Sequence, residues 1–487
     1  MMHRFNFSLI LLLFVSQVAF CQNPVSFVFN KRDDINSGNV DAGIKPYYWN
    51  NGILYLGYCY NSSQTKEGLT LTFYDTLGNM QWKKAKILDE YQIFQGNDII
   101  ALNNTSFYIG GVVYKNEDTQ YDRFLAKYDK DGNNIFTKIY PDSTLSWVMD
   151  LEYYYGDTLL VLSAITPSQE DEYTKIVIDK VDTVGNICTT YEGPYTLEIP
   201  YQILKGNNRF YVGGTRKTAV GSNYHVKVFI QSFDNNLNFL YDNNPGETLN
   251  ERFGHMIFHN NLIYLTHLTT VYQPPNTSGF YQCCASILDQ NTYPVRHQRF
   301  GPIDFYGDLK PNVALNENMI IFPVYEKLYF LDTAVNVICS TPELNSDSLN
   351  LNLSEIIVLP NKKIAGTGVY YSTSQTDSQD HWNFMTENIE EYINSNCLES
   401  IPFEYKNEKI TSQYSVYPTI FNTSVFIKCI NDHQNFKIEI YDELGIKKYE
   451  AEDIGETEIN TSNLINGLYF LRIIDKTKIN SFKLIKQ

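Results

Sequence analysis

One hairpin pattern, an apolar run, a turn carrying Asn or Gly and a second apolar run, occurs seven times, at residues 47–57, 100–110, 151–161, 203–213, 256–265, 313–322 and 356–366. A second hairpin gives an independent ruler, an aromatic or aliphatic residue followed by Asp: Tyr74 and Asp75, Tyr128 and Asp129, Val181 and Asp182, Phe233 and Asp234, Leu288 and Asp289, Leu331 and Asp332. Those aspartates are separated by 54, 53, 52, 55 and then 43 residues. A fixed period of this length with two hairpins per period means a four-stranded unit repeated in an array, the size of a β-propeller blade. Seven copies predict seven blades.

The seventh unit has no closing strand after it, whereas residues 24–33 resemble the closing strand of the second unit at 134–140. The expectation is that the N-terminal strand completes the last blade and removes its free sheet edges. Tyr and Phe, at 38 and 29 residues, suit the pleated surfaces of an all-β chain. The formal net charge of −17 argues against nucleic acid and anionic membranes as partners.

Residues 1–21 read as an export signal: His3 and Arg4, an apolar run from Leu9 to Phe20, then cleavage between Cys21 and Gln22. An acylated Cys21 is the competing reading, opposed by the bulk of Phe20. No later run reaches the ~20 apolar residues of a membrane span. Cys59, Cys188, Cys283, Cys284, Cys339, Cys397 and Cys429 remain, an odd number too dispersed for a disulfide framework. Cys188 and Cys339 hold equivalent places after the second-hairpin turn, so packing is the simpler explanation for them.

After a linker at 398–412, seven short strand-like runs within 413–487 fit a small β-sandwich. Four pieces of it carry a resemblance: Val416, Tyr417 and Pro418 through Phe421 and Asn422; Ile438 through Tyr441, Asp442 and Gly445; Leu464 through Gly467 and Tyr469; and the basic tail with Lys483 and Lys486. In order and spacing this region resembles the type A C-terminal sorting domain of the type IX (Por) secretion system of Bacteroidetes. Thr419 and Ile420 depart from the Asn-Pro usual after Tyr-Pro. The resemblance implies an Ig-like sandwich, export through the type IX machinery and its sortase, and release or attachment at the outer cell surface. Domains are thus expected at 1–21, 22–397, 398–412 and 413–487.

Candidate chemistry is sparse. His255 and His259 would meet on a helix, but on a strand four residues span about 13 Å, too far for one metal. Asp129, Asp131 and Gly132 resemble the start of a calcium loop but fit a tight turn better. Glu170, Asp171 and Glu172, and Glu390 with Glu391, are clustered carboxylates that read as solvated charge. No nucleophile elbow, phosphate loop or zinc motif is present, so neither cofactor nor metal is expected. Thr76, Thr158, Thr183, Thr333 and Ser348 each follow Asp and precede an aliphatic or Ala, a pattern resembling the O-glycosylation acceptor of exported Bacteroidetes proteins. The leading reading is an exported binding or adhesion protein for a glycan or protein, not an enzyme. The rival is a polysaccharide hydrolase or lyase in which tyrosines such as 153–155 and 370–371 stack on sugar rings; a purely structural spacer is the third.

Overall fold

The computed structural model describes residues 19–20, 25–33, 41–115, 120–142, 145–167, 173–220, 223–246, 250–271, 280–305, 314–316, 319–324, 327–342, 344, 350–371, 379–393, 414–417, 420–421, 423–429, 435–442, 447–454, 456–465, 467–474 and 479–486. The chain divides into two compact units, Met1–Ile401 and Pro402–Gln487.

The first unit is a seven-bladed propeller of antiparallel sheets. Blade one runs Asp41–Trp49, Gly52–Tyr60, Glu67–Asp75 and Met80–Lys86; blade two Ile93–Ala101, Ser106–Lys115, Gln120–Asp129 and Asn134–Tyr140; blade three Leu145–Tyr153, Leu159–Thr166, Thr174–Val181 and Ile187–Thr196. Blade four comprises Glu198–Lys205, Arg209–Val220, Asn223–Asp234 and Phe239–Asn243; blade five Glu251–His259, Leu262–Val271, Phe280–Leu288 and Pro294–Phe305. Blade six is the shortest, with Ala314–Asn316, Met319–Val324, Lys327–Asp332 and Val337–Ser340, which accounts for the compressed spacing before Asp332. Blade seven has Asn350–Val358, Ile364–Tyr371 and Gln379–Thr386, and its fourth strand is Phe27–Asp33 from the other end of the unit.

The first strand of each blade is innermost and the fourth outermost. Second strands are packed on both faces over most of their described length, and Leu159–Thr166 is buried throughout, so they read as continuous apolar runs. Fourth strands such as Ile187–Thr196 are largely exposed. The core lies between blades: Leu54, Leu56, Leu69 and Leu71 of blade one pack with Ile99, Phe107, Ile109 and Phe124 of blade two.

Two turn chemistries hold the hairpins. Asn50 and Asn51 adopt φ of 49° and 57°, and Asn260 and Asn261 repeat this with 49° and 65°, the left-handed pair of a type I′ turn, which Asn tolerates. In the second hairpin one Asp oxygen accepts two backbone N–H groups. Asp182 takes those of Val184 (3.0 Å) and Asn186 (2.7 Å), and its other oxygen takes the Asn186 amide (3.0 Å). Six blades share the device, at Asp75, Asp129, Asp182, Asp234, Asp289 and Asp332. The fourth turn residue is left-handed, as Gly in blades one to three but as Leu237, Thr292 and Val335 later on. The same turns lock neighbouring blades: a Cβ on Gly78 would lie 2.6 Å from Phe29 Cδ1, and Gly132 faces Trp82 as Gly185 faces Phe136.

Phe27–Asp33 is bound into blade seven by more than its ladder. Trp382 Nε1 donates to Asn30 Oδ1 (2.6 Å), Glu387 N to Ser26 O (2.9 Å), and Phe29 stacks on Tyr74 of blade one at 4.8 Å. A two-residue bridge, Ala19–Phe20 parallel to Cys339–Ser340, adds to the outer edge of blade six. A short helix, Ile389–Ile393, buries Ile389 and Ile393 in the core of blades six and seven.

The cysteines need one correction. Cys339 is disulfide-bonded, to a cysteine whose side chain lies outside the described residues, while Cys188 is exposed and free, so the two equivalent positions do not share a packing role. Adjacent Cys283 and Cys284 are both buried, because both faces of their strand are covered by neighbouring blades.

The second unit is a β-sandwich. One sheet holds Tyr414–Tyr417, Ser424–Cys429 and Glu456–Asn460; the other holds Ile420–Phe421, Ile479–Lys486, Gly467–Ile474, Asn435–Asp442 and Lys447–Ile454. The two-residue strand Ile420–Phe421, parallel to Ile485 and Lys486, is additional to the seven runs read from the sequence. Val425, Ile427 and Ile459 of the first sheet pack against Ile438, Ile440, Leu471, Ile473 and Leu484 of the second.

Candidate functional site

Six of the seven innermost strands carry a β-bulge at the same register: between Gly43 and Lys45, Gly96 and Asp98, Val148 and Asp150, Pro200 and Gln202, Phe253 and His255, and Leu353 and Glu355. A bulge re-aims the residue that follows it. Here that residue is polar every time, Lys45, Asp98, Asp150, Gln202, His255 and Glu355, and together they form a polar belt on the inner strands. The corresponding position of blade six is outside the described residues.

The belt is cross-linked from blade to blade by one repeated contact. Asp98 Oδ2 accepts the backbone N–H of Leu151 (2.7 Å), Asp150 Oδ2 that of Ile203 (2.8 Å), and Gln202 Oε1 that of Met256 (2.6 Å). In each case the donor is the residue after the neighbouring blade's belt residue. Going from blade seven to blade one the donor position is Pro46, which has no N–H. There a cation meets the acceptor: Lys45 Nζ lies 3.9 Å from Glu355, 3.9 Å from Asp150, and in direct contact with Asp98.

Burial disfavours the Lys45 ammonium, but Asp98, Glu355 and Asp150 outweigh it and hold its pKa well above the ordinary lysine value. Asp150 moves up, first through burial and then through the Asp98 charge beside it. Two residues on, burial also raises Glu152, whose oxygens accept Tyr153 N–H (2.7 Å) and Lys205 N–H (3.1 Å). His255 is pushed down to about 3 by burial and by Lys45, so it is neutral. Its Nε2 sits 3.1 Å from the Gln202 amide nitrogen and therefore accepts, leaving the proton on Nδ1. Chemically the belt holds a raised carboxyl beside a second carboxylate, with both engaged by backbone N–H groups.

The residues singled out from sequence fall elsewhere. His255 is in the belt, whereas His259 is at the strand end beside Asn260. Asp129 spends its oxygens on the N–H groups of Asp131 and Asn133, a turn role. Among the described residues no group of three or more His, Cys, Asp or Glu could hold a metal. Glu390 pairs with Lys362 at 2.6 Å; residues 170–172 are outside the described set, as are the side chains of Tyr370 and Tyr371. Tyr154 stacks on Phe210, and Tyr153 and Tyr155 lie against the Lys205 ammonium at 4.4 and 4.1 Å. Thr76, Thr183 and Thr333 are half-buried turn residues, Thr158 Oγ1 donates to Tyr155 O (2.7 Å), and Ser348 is outside the described residues, as are Cys21 and Gln22.

Lys45, Asp98, Asp150, Gln202 and Glu355 were not singled out from the sequence. The signal for them was present: a polar residue lies one or two positions ahead of the corresponding hairpin copies.

In the sandwich, Tyr417 pairs with Phe426, and Tyr469 is buried with its hydroxyl donating to Ile465 O (2.9 Å). Asp442 pairs with Lys448 at 3.0 Å. Lys486 is buried and donates to Thr461 O (2.8 Å), Gly467 lies opposite Lys486, and Lys483 opposite Phe470. Pro418, Asn422 and Gly445 are outside the described residues.

No curated protein matches the chain. Solved structures match it only at low sequence identity. Drosophila Semaphorin 2a has 8% identity and a TM-score of 0.47, covering 96% of this chain and 98% of that one. A GH93 α-L-arabinofuranosidase of Fusarium graminearum has 10% identity and a TM-score of 0.42, covering 60% and 92%. PorZ, a type IX secretion-system surface component of Porphyromonas gingivalis, has 10% identity and a TM-score of 0.25, covering 91% and 75%. The family model described as the secretion system C-terminal sorting domain matches residues 415–487. The terminal β-sandwich is therefore a type IX sorting domain, and it marks the chain for export to the cell surface or the extracellular space.

Proposed function

We propose that this chain is an exported binding protein: the type IX machinery and its sortase handle the terminal sandwich, and the propeller recognises an extracellular glycan or protein. The observation that carries this reading is the engagement of the belt carboxylates. Asp98 and Asp150 each accept a backbone N–H of the next blade, which makes them blade fasteners rather than a free acid and base. Recognition falls to the connections. First-to-second strand turns span two to five residues, whereas the opposite ends of the strands are joined by second-to-third strand connections of two to eight residues and by links between blades of up to nine. Variable loops on a rigid scaffold are the usual carriers of binding. In this reading the signal is removed between Cys21 and Gln22, and Thr76, Thr158, Thr183, Thr333 and Ser348 are acceptors for O-glycosylation.

The second reading, a polysaccharide hydrolase or lyase, is favoured by one feature: a raised Asp150 carboxyl next to Asp98, the kind of pair that acid–base chemistry uses. The experiment incubates the mature chain from Gln22 with polysaccharides and glycoproteins, recording retention and new reducing or unsaturated ends together. Retention without turnover supports binding. Turnover that disappears in Asp150→Asn establishes the enzyme instead.

A further inference from the structure

On the turn face of the ring, where the first two strands of blades one and two meet, a cavity of ≈ 300 Å³ opens between residues 47–51 and 101–104. Tyr47, Tyr48 and Trp49 line it from blade one, Leu102 contributes apolar surface from blade two, and the rim is amide, with Asn50, Asn51 and Asn104 all exposed. No charged side chain lines it among the described residues, in a chain whose net charge is −17.

The cavity is built from rigid parts. The type I′ turn fixes Asn50 and Asn51 at φ of 49° and 57°. Trp49, buried between Phe73 and Phe107, donates from Nε1 to Asn103 O at 2.7 Å and ties the two turns together. Asn103 Oδ1 is taken by the N–H groups of Thr105 (2.9 Å) and Ser106 (3.0 Å), which holds the second turn. Turn geometry alone accounts for Asn50 and Asn51, since Asn260 and Asn261 do the same in blade five. It does not account for aromatic residues lining a cavity with an uncharged amide rim.

We propose that this cavity is a subsite for one neutral sugar ring. A sugar has an apolar C–H face that lies against aromatic surface and a hydroxyl edge that both donates and accepts, as an Asn amide does. The volume is at the low end of the small-ligand range, room for one ring rather than an extended chain. With no countercharge in the lining and a negative overall field, a uronate or sulfated sugar is disfavoured. The proposal rests on the binding reading and goes beyond it, adding a recognition site with a named ligand class on the turn face, across the ring from the longer connections.

The test is saturation-transfer NMR on the mature chain with methyl glycosides of glucose, galactose and N-acetylglucosamine, and glucuronate as the charged control. At least one neutral glycoside is expected to show transfer, glucuronate none. Binding should weaken by about tenfold in Asn104→Ala, an exposed turn position, and vanish in Leu102→Trp, which fills the cavity. If Leu102→Trp does not fold, Asn104→Ala decides. Transfer to no neutral glycoside, equal transfer to glucuronate, or transfer unchanged in the variants overturns the proposal. Polysaccharide retention that both variants leave intact refutes this subsite while sparing the binding reading; loss of all retention in the wild-type chain sinks the binding reading itself.

Discussion

Replacing Lys45 by Met takes the cation out of the belt and leaves Asp98, Asp150 and Glu355 facing one another. Removing one partner of a buried ion pair costs about 3–5 kcal/mol, and the Lys45 side chain is 21% exposed, so the low end applies, about 3 kcal/mol at pH 8. The pH dependence has a definite sign. Lys45 titrates above its ordinary range, so its contribution is fully present at and below neutrality and is lost only in strong alkali. Asp150 is raised, so the folded ring holds that proton more tightly than the unfolded chain does. Stability from this group is greatest in acid and declines as pH climbs from the ordinary carboxylate range through the raised value. Without Lys45 the decline steepens, and the loss at pH 5 should be smaller than that at pH 8. All four tryptophans lie in the ring, so urea unfolding followed by their fluorescence reports on the propeller alone. Adding Asp98→Asn to Lys45→Met should recover part of the loss. A cost below about 1 kcal/mol at pH 8, or one equal at the two pH values, would refute the account of the belt as a charge-balanced fastener.

Gly78→Ala puts a Cβ 2.6 Å from Phe29 at a φ of 82°, and should cost about 2 kcal/mol or more; an unchanged urea midpoint would contradict it. Phe29→Ala empties the contact between the N-terminal strand and blade one and should cost about 3–5 kcal/mol, read in the same assay. Asp182 is held below the ordinary carboxylate range, foremost by the Asn186 N–H, so its contribution is present above that range and lost as pH falls through the lowered value. Asp182→Ala should accordingly flatten the acid limb of the stability curve, measured by thermal melts from pH 2 to pH 6. In the sorting domain Tyr469→Ala should cost about 3–5 kcal/mol and leave the protein inside producing cells, quantified by immunoblot of cells and medium; normal release would count against a folded sandwich as the export signal.

The propeller class was legible because six of the seven blades repeat one turn chemistry, and Asp75 through Asp289 mark it at near-constant spacing before the shorter step to Asp332. The sorting sandwich was legible through its motifs. The belt was not. A lone polar residue in a strand reads as surface, and only the inserted residue of a bulge, such as Ile44 or Asn97, turns Lys45 or Asp98 inward. Periodicity along one strand does not register such a shift; superposing the copies does. Cys339 misled for a related reason: it occupies the same repeat position as Cys188, and position within a repeat says nothing of which distant cysteine it meets. The clustered glutamates drew notice by density, yet Glu390 ends in a simple ion pair with Lys362.

The fourth strand of blade seven sets an order of events for folding. Arg32 pairs with Trp382, 350 residues later, so the ring closes only after nearly the whole propeller has been synthesised. Joining ends that far apart costs about 5 kcal/mol of chain entropy by the logarithmic loop law. Six blades can form from contacts within one repeat or with the next; the seventh waits for a strand that was made first. Closure is then the late, slow step, as for any pairing dominated by sequence-distant contacts. Until it occurs, the polypeptide in transit carries an unpaired edge at Gln379–Thr386, so Phe27–Asp33 serves as the latch whose arrival ends the window for misassembly.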